Sequence, residues 1–248
     1  MSKAKILFVC HDFPPFKYAG AQIYAMHLAQ AINQSGAAYV EIFHPVFRVD
    51  DSTQPYGTLE TTTFEDLVVH RLYKPTQNYD PANLRNELVA KAFDSFLTNH
   101  KYDLIHIHGL GQLTAVPIEI AKKHGIKTVM TVHDSWLICE EWHLVYPDQT
   151  VCSGPESIEK CANCFIKYYV QGNITPEFVQ TMHDYKKIRH NYNLQMFNLL
   201  DARIAQSSFL KNTYLKYGSK SISIIPLGFT PQKPLPKTSN KKIIFGYA

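Results

Sequence analysis

Short apolar runs alternate along this chain with longer segments whose apolar residues recur at helical spacing. Lys5-Ile6-Leu7-Phe8-Val9-Cys10 is too short for a helix and runs into His11-Asp12-Phe13-Pro14-Pro15, which breaks regular structure, so it reads as a buried strand. Ala21 to Ile32 then carries Ile23, Met26, Leu28, Ala29 and Ile32 on one helical side, and Ser35-Gly36 supplies a stop. Further strands are predicted at Tyr39 to Phe43, Leu67 to Tyr73, Asp103 to His108, Thr128 to Val132, Arg203 to Gln206 and Ile222 to Ile225. Further helices are predicted at Pro81 to Leu97, Gly111 to Lys123 and Ser207 to Tyr217, with Asp50 to Thr63 as a polar loop.

This alternation predicts an α/β fold: a Rossmann-like, doubly wound parallel sheet with helices on both faces. Ligands in such folds bind beyond the carboxyl ends of the strands. Three post-strand segments are rich in polar groups or glycine: His11 to Gly20, His108 to Gly111, and His133 to Ser135. Two segments break the rhythm. Cys139 to Val170 is a long insertion that holds four of the five cysteines, and Pro226 to Asn240 has the proline content of a linker before a last apolar Ile243-Ile244-Phe245. The domain reading is therefore 1–225 as the sheet domain with 139–170 inserted, 226–240 as linker, and 241–248 as the first strand of a further domain.

At 248 residues, with 45% hydrophobic and 19% charged positions, the chain has enough apolar material for a core that needs no disulfides. No run approaches the ~20 apolar residues of a membrane span, and no signal-peptide core follows the first residues, which points to the cytoplasm. The net charge of +4 is uneven. From Lys186 onward there are 11 basic residues against Asp201 alone, while the preceding part holds 14 basic and 20 acidic residues. The basic end suits a phosphorylated ligand, an acidic partner domain, the anionic inner face of a membrane, or plain solvation. No RNA-binding signature accompanies it, so nucleic acid is not expected as a partner.

Cys139, Cys152, Cys161 and Cys164 stand with 12, 8 and 2 residues between them, and the Cys-Ala-Asn-Cys pair fits tetrahedral thiolate binding. Zinc is the default ion and an iron–sulfur cluster the lesser option, with free thiols or adventitious disulfides as the alternatives. Cys10, alone in a strand, reads as core.

Five segments together resemble the amino-terminal, acceptor-side domain of family 4 glycosyltransferases, which have the two-lobed GT-B fold. They are Phe13-Pro14-Pro15 with Tyr18-Ala19-Gly20-Ala21, Asp103 to Gly109, Thr131-Val132-His133-Asp134-Ser135-Trp136, Ala205 to Leu210, and Ile225-Pro226-Leu227-Gly228-Phe229. The resemblance implies a retaining, sugar-nucleotide-dependent hexosyltransferase that makes a cell-surface glycan or glycolipid. It also implies a second, donor-binding lobe beyond this chain, without which transfer is not expected. A non-catalytic binding or scaffold module on the same fold is the alternative.

By the same resemblance, His108 is the histidine beside the reacting sugar; from its own position it could instead cap the next helix, and His106 reads as packed. Ala19 and Gly20 match the loop that approaches the donor diphosphate. Asp12, Lys17, His133 and Asp134 are the candidate acceptor contacts, with turn-forming roles open to both aspartates. Ser207 reads as a helix N-cap. No catalytic metal is expected; the acceptor would be a glycan or a lipid-linked sugar.

Overall fold

The computed structural model describes residues 3–48, 55–75 and 84–228. Its elements run in the order β1 (Ala4–Val9), α1 (Gly20–Ser35), β2 (Ala38–Arg48), β3 (Leu59–Phe64), β4 (Leu67–Pro75), α2 (Glu87–Asn99), β5 (Leu104–Ile107), α3 (Val116–Lys123), β6 (Lys127–Val132), α4 (Ile158–Tyr169), α5 (Pro176–Leu199), β7 (Ala202–Ala205), α6 (Ser208–Lys216) and β8 (Ser223–Ile224). The strands form one sheet in the order β3-β4-β2-β1-β5-β6-β7-β8. All neighbours are parallel except β3, which pairs antiparallel with β4.

Strand alternation feeds two cores. Leu7, Val9, Phe43, Ile105 and Ile107 face the α2, α3 and α5 side with Phe93, Ile118 and Phe197. Phe8, Cys10, Val40, Ile42 and Val69 face the other side, under Ala25, Met26 and Ala29 of α1. Because helices cover both faces, the central strands are apolar in succession rather than alternately polar, as the β1 sequence suggested.

Differences from the sequence reading have local causes. The loop expected over Asp50 to Thr63 contains β3, a polar edge strand joined to β4 by Glu65 and Asp66, both at positive φ (47° and 63°) as a tight hairpin turn requires. The helix expected from Gly111 starts only at Val116, with Pro117 in its first turn, the position where a proline costs no hydrogen bond. The helix expected from Pro81 is seen from Glu87, where Asn86 accepts the Val89 N–H; residues 81–83 lie outside the described residues. The long α5 is unforeseen, because its buried side includes Lys186, Arg189 and Asn193, which erase the apolar stripe. The linker from 229 and the terminal strand at 241–248 also fall outside the described residues.

Away from the carboxyl ends of the strands, Glu41 of β2 ties four elements together. It takes Lys5 at 2.8 Å, His70 at 3.0 Å and the Tyr102 hydroxyl at 2.5 Å, and is 6% exposed. Burial raises its carboxyl, but the hydrogen bonds from His70, Lys5 and Tyr102 outweigh that and hold it at about 2. A depressed carboxylate stabilises the fold above its unfolded value of 4.5 and loses that contribution as pH falls toward 2. Glu41→Gln should therefore lower stability at neutral pH by about 2 kcal/mol and flatten the acid limb of the stability profile between pH 4.5 and 2. Chemical denaturation across that range checks it; an unchanged acid limb would contradict the assignment.

Candidate active site

The sheet reverses its winding between β1 and β5. The chain leaves β1 toward β2 and β4, then returns to β5 on the other side, so the loops after β1 and β5 separate and leave a crevice at their carboxyl ends. Three predicted segments meet there. His11 and Asp12 follow β1, His108 and Gly109 follow β5, and His133 and Asp134 follow β6. Gly109 has no freedom to carry a side chain: a Cβ there would stand 1.9 Å from the His11 Nδ1 atom.

His108 is 2% exposed, with its backbone N–H on the Val9 carbonyl at 2.8 Å and its ring 4.6 Å from that of Phe8. It caps no helix, since α3 begins at Val116 after Ala115. Its Nδ1 lies 3.2 Å from His133 Nε2, and the Gln206 side-chain amide contacts His133 Nδ1. The His108 Nε2 atom is buried and has no hydrogen-bond partner among the described residues. His106 is packed as expected, its Nε2 2.8 Å from the Thr131 hydroxyl.

His11, which the sequence reading passed over in favour of Asp12, lies between the Gln22 amide (3.0 Å) and the Trp142 ring (6.3 Å between centroids). Gln22 in turn leaves its buried Oε1 unpartnered. Asp134 accepts the Trp136 N–H at 2.8 Å, the turn role, and still acts on His11 electrostatically; burial pushes its carboxyl up. Asp12 is half-buried and likewise raised by burial. Lys17 is exposed, as are Ala19 and Gly20. Ala19 caps α1 without any side-chain bond, no acidic residue sits in the first turn, and open space surrounds the Gly20 Cα, so the amino end of α1 stands bare. Ser207 is the N-cap of α6, accepting the Leu210 N–H.

Beside these residues opens a depression of about 770 Å³ lined by His133, Asp134, Glu141, Trp142, Tyr169 and Phe209, among others. Trp142, Tyr169 and Phe209 are exposed by 49%, 46% and 63%. The sequence reading missed Trp142 and Tyr169 because they belong to the cysteine insertion. Trp142 sits at φ 58°, a strained region for a bulky residue, and is held by Ser135 N–H to its carbonyl (2.9 Å) and by its own N–H to the Cys139 carbonyl (3.1 Å). The cysteines themselves are free thiols, and all four of the insertion line one smaller cavity behind that wall. Burial raises Cys139 to about 12 and Cys161 to about 11. No three His, Cys, Asp or Glu side chains among the described residues already stand as a ligand set for a metal ion.

The basic end resolves into separate parts. Lys186 and Arg189 pair with Glu140 in the interior, and Arg203 holds the carbonyls of Phe197, Leu200 and Ser221. Lys233, Lys237, Lys241 and Lys242 lie outside the described residues.

Comparison with known proteins follows this geometry. The profile of Glycosyltransferase Family 4 matches residues 18–233, most of the chain. The chain belongs to glycosyltransferase family 4. Among solved structures it is similar to sucrose-phosphate synthase from Thermosynechococcus elongatus, at 16% identity and TM-score 0.51, over 90% of this chain and 48% of that one. An E. coli protein described as trehalose-6-phosphate bound with UDP-2-fluoro glucose aligns at 14% identity and TM-score 0.49, over 94% of this chain and 52% of that one. The chain thus spans about half the length of these structures, and it shares the Rossmann-like α/β fold of the sucrose-phosphate synthase structure. No curated protein matches it. No described helix is long and apolar enough to cross a membrane.

Burial holds His106 and His133 down at about 4 and His108 well below the usual imidazole range, each aided by a neighbouring histidine. The unfolded chain takes up these protons first, so stability should fall as pH drops from about 6.5 toward 4. Ring-proton NMR should show His106 and His133 neutral down to about pH 5. Titration of either near 6.5 would contradict the buried relay.

Proposed function

We propose that this chain is the acceptor-binding half of a retaining glycosyltransferase, which receives a hexosyl group from a sugar nucleotide held by a second, carboxyl-terminal lobe. The observation that carries this reading is the buried His108 Nε2, which has no partner among the described residues, at the crevice where the sheet reverses. A ring nitrogen in that state suits a hydrogen bond with a hydroxyl of the reacting sugar, with the His133 contact holding the ring in place. The bare amino end of α1 at Ala19 and Gly20 suits the donor diphosphate, since its unsatisfied N–H groups favour an anion.

The depression walled by Trp142, Tyr169 and Phe209 supports a saccharide acceptor. Aromatic faces pack against the C–H faces of sugar rings, while Asp134 and Glu141 offer acceptors for hydroxyls. A lining with two carboxylates and no lysine or arginine favours the glycan portion of the acceptor over a phosphate at this spot; a lipid-linked acceptor would carry its phosphate elsewhere. Lys187, Lys211, Lys216 and Lys220 are the basic residues of the described end not tied up in the interior, and contact with an anionic membrane surface would fall to these and to the lysines beyond 228. Lys17 remains a candidate acceptor contact from the exposed side of the first loop, and synthesis of a cell-surface glycan or glycolipid in the cytoplasm remains the setting. Four of the five motif segments meet around one crevice that keeps an unpartnered, buried imidazole nitrogen, which favours this reading over a scaffold that has lost its chemistry.

In the enzyme with its donor lobe, His108→Ala should lower turnover by about 10²-fold or more while the protein stays folded by circular dichroism. Trp142→Ala should raise the acceptor KM and leave the donor KM unchanged. Wild-type turnover in a folded His108→Ala enzyme would remove the histidine from the reaction, and a donor-only effect of Trp142→Ala would remove the depression from acceptor binding.

A further inference from the structure

The cysteine insertion contains a site that glycosyl transfer does not use. Its four thiols come from three separate pieces of chain. Cys139 follows β6; Cys152 follows a small hairpin closed by the Val145–Val151 bridge; Cys161 and Cys164 lie three residues apart on one side of α4. All four, with Leu144 and Phe165, line a single cavity of about 50 Å³. This convergence is not forced by a larger core, because apolar packing of α4 is confined to a small group: Ala162, Phe165 and Ile166 against Met182 of α5.

A second, independent feature is the charge at the cavity wall. Lys186 and Arg189 of α5 and Glu140 all line it, buried, with Lys186 2.5 Å and Arg189 3.1 Å from the one carboxylate. Two buried cations thus share one buried carboxylate at this wall, and Arg189 also donates to the Trp136 carbonyl at 2.7 Å. Lys186 Nζ also stands 3.8 Å from the centre of the Phe165 ring. The geometry points to a structural zinc site in which Cys139, Cys152, Cys161 and Cys164 are the four ligands.

On binding, the four thiols release four protons to solvent, and the dipositive ion with four thiolates carries a net charge of −2. Lys186 and Arg189 at the cavity wall would offset part of that charge from α5. The ion must draw the thiols inward across the cavity, a movement within reach of cysteine rotamers and the short hairpin. The volume favours zinc over an iron–sulfur cluster, because it offers room for a few water molecules at most and not for a cluster of several iron and sulfide atoms. The site would lock the insertion behind Trp142, whose N–H is bonded to the Cys139 carbonyl, and so stiffen one wall of the depression.

Metal analysis of the chain, expressed in zinc-supplemented medium and purified without chelator, should give about one zinc per chain and little iron or sulfide. Replacing zinc by cobalt(II) should produce the thiolate charge-transfer and tetrahedral ligand-field absorption of a four-sulfur site. Cys161→Ser/Cys164→Ser should lose most of the metal, and Cys10→Ser, outside the cavity, should keep it. Less than about half an equivalent of zinc in the wild-type chain would overturn the proposal. So would cobalt spectra without sulfur ligation, or stoichiometric iron with sulfide. The wild-type metal and cobalt measurements do not depend on any variant folding, and they stand apart from transferase activity.

Discussion

The reversal of the sheet between β1 and β5 is the constraint on which the rest depends. Parallel strands must be joined by crossovers, and a chain that winds first to one side and then to the other leaves two loops with nothing between them. The apolar strands cannot close this gap, because their side chains are committed to the two cores above and below. Polar side chains on the post-strand loops fill it instead. His11 against Gly109, and His108 against His133, are the contacts by which neighbouring loops pack across the opening.

That arrangement explains an unusual degree of burial for ionisable groups. Three histidines stand in a row across β5 and β6, neutral and joined to Thr131, Gln206 and one another. Neutral imidazoles are acceptable in an interior when their nitrogens have partners, and the buried His108 Nε2 lacks one among the described residues. Electrostatics behind the wall differ in kind. Around Glu140 the buried groups are charged, with Lys186 and Arg189 sharing its carboxylate.

Much of this was legible in the sequence. The strand–helix alternation located β1, β2, β4, β5, β6, β7 and β8 and α1, α2, α3 and α6, because apolar residues at periods of two and 3.6 are what the two cores require. The rule that ligands gather after parallel strands picked out the segments His11 to Gly20, His108 to Gly111 and His133 to Ser135, and the family resemblance singled out His108, His133, Asp134, Asp12 and Gly20 within them. Three things stayed hidden, each for a physical reason. Helix α5 buries lysine, arginine and asparagine, so its inner side does not look apolar. His11 is defined by a close approach to Gly109 across the crevice, which no spacing along one chain expresses. Trp142 reaches the depression beside His133 only because the insertion folds back on Ser135, a contact that the spacing of the cysteines does not express.

The central claim is that the crevice and its aromatic wall form a saccharide-binding surface on this lobe. The most direct test is a heteronuclear NMR titration of the chain with a panel of saccharides, following the two tryptophan indole N–H signals. The account predicts that a bound saccharide shifts Trp142 strongly and the His133 ring with it, while backbone signals on the opposite end of the sheet, around Glu41, stay in place. Saturable saccharide binding that leaves Trp142 and His133 unmoved, or shifts that cluster away from the crevice, would contradict it.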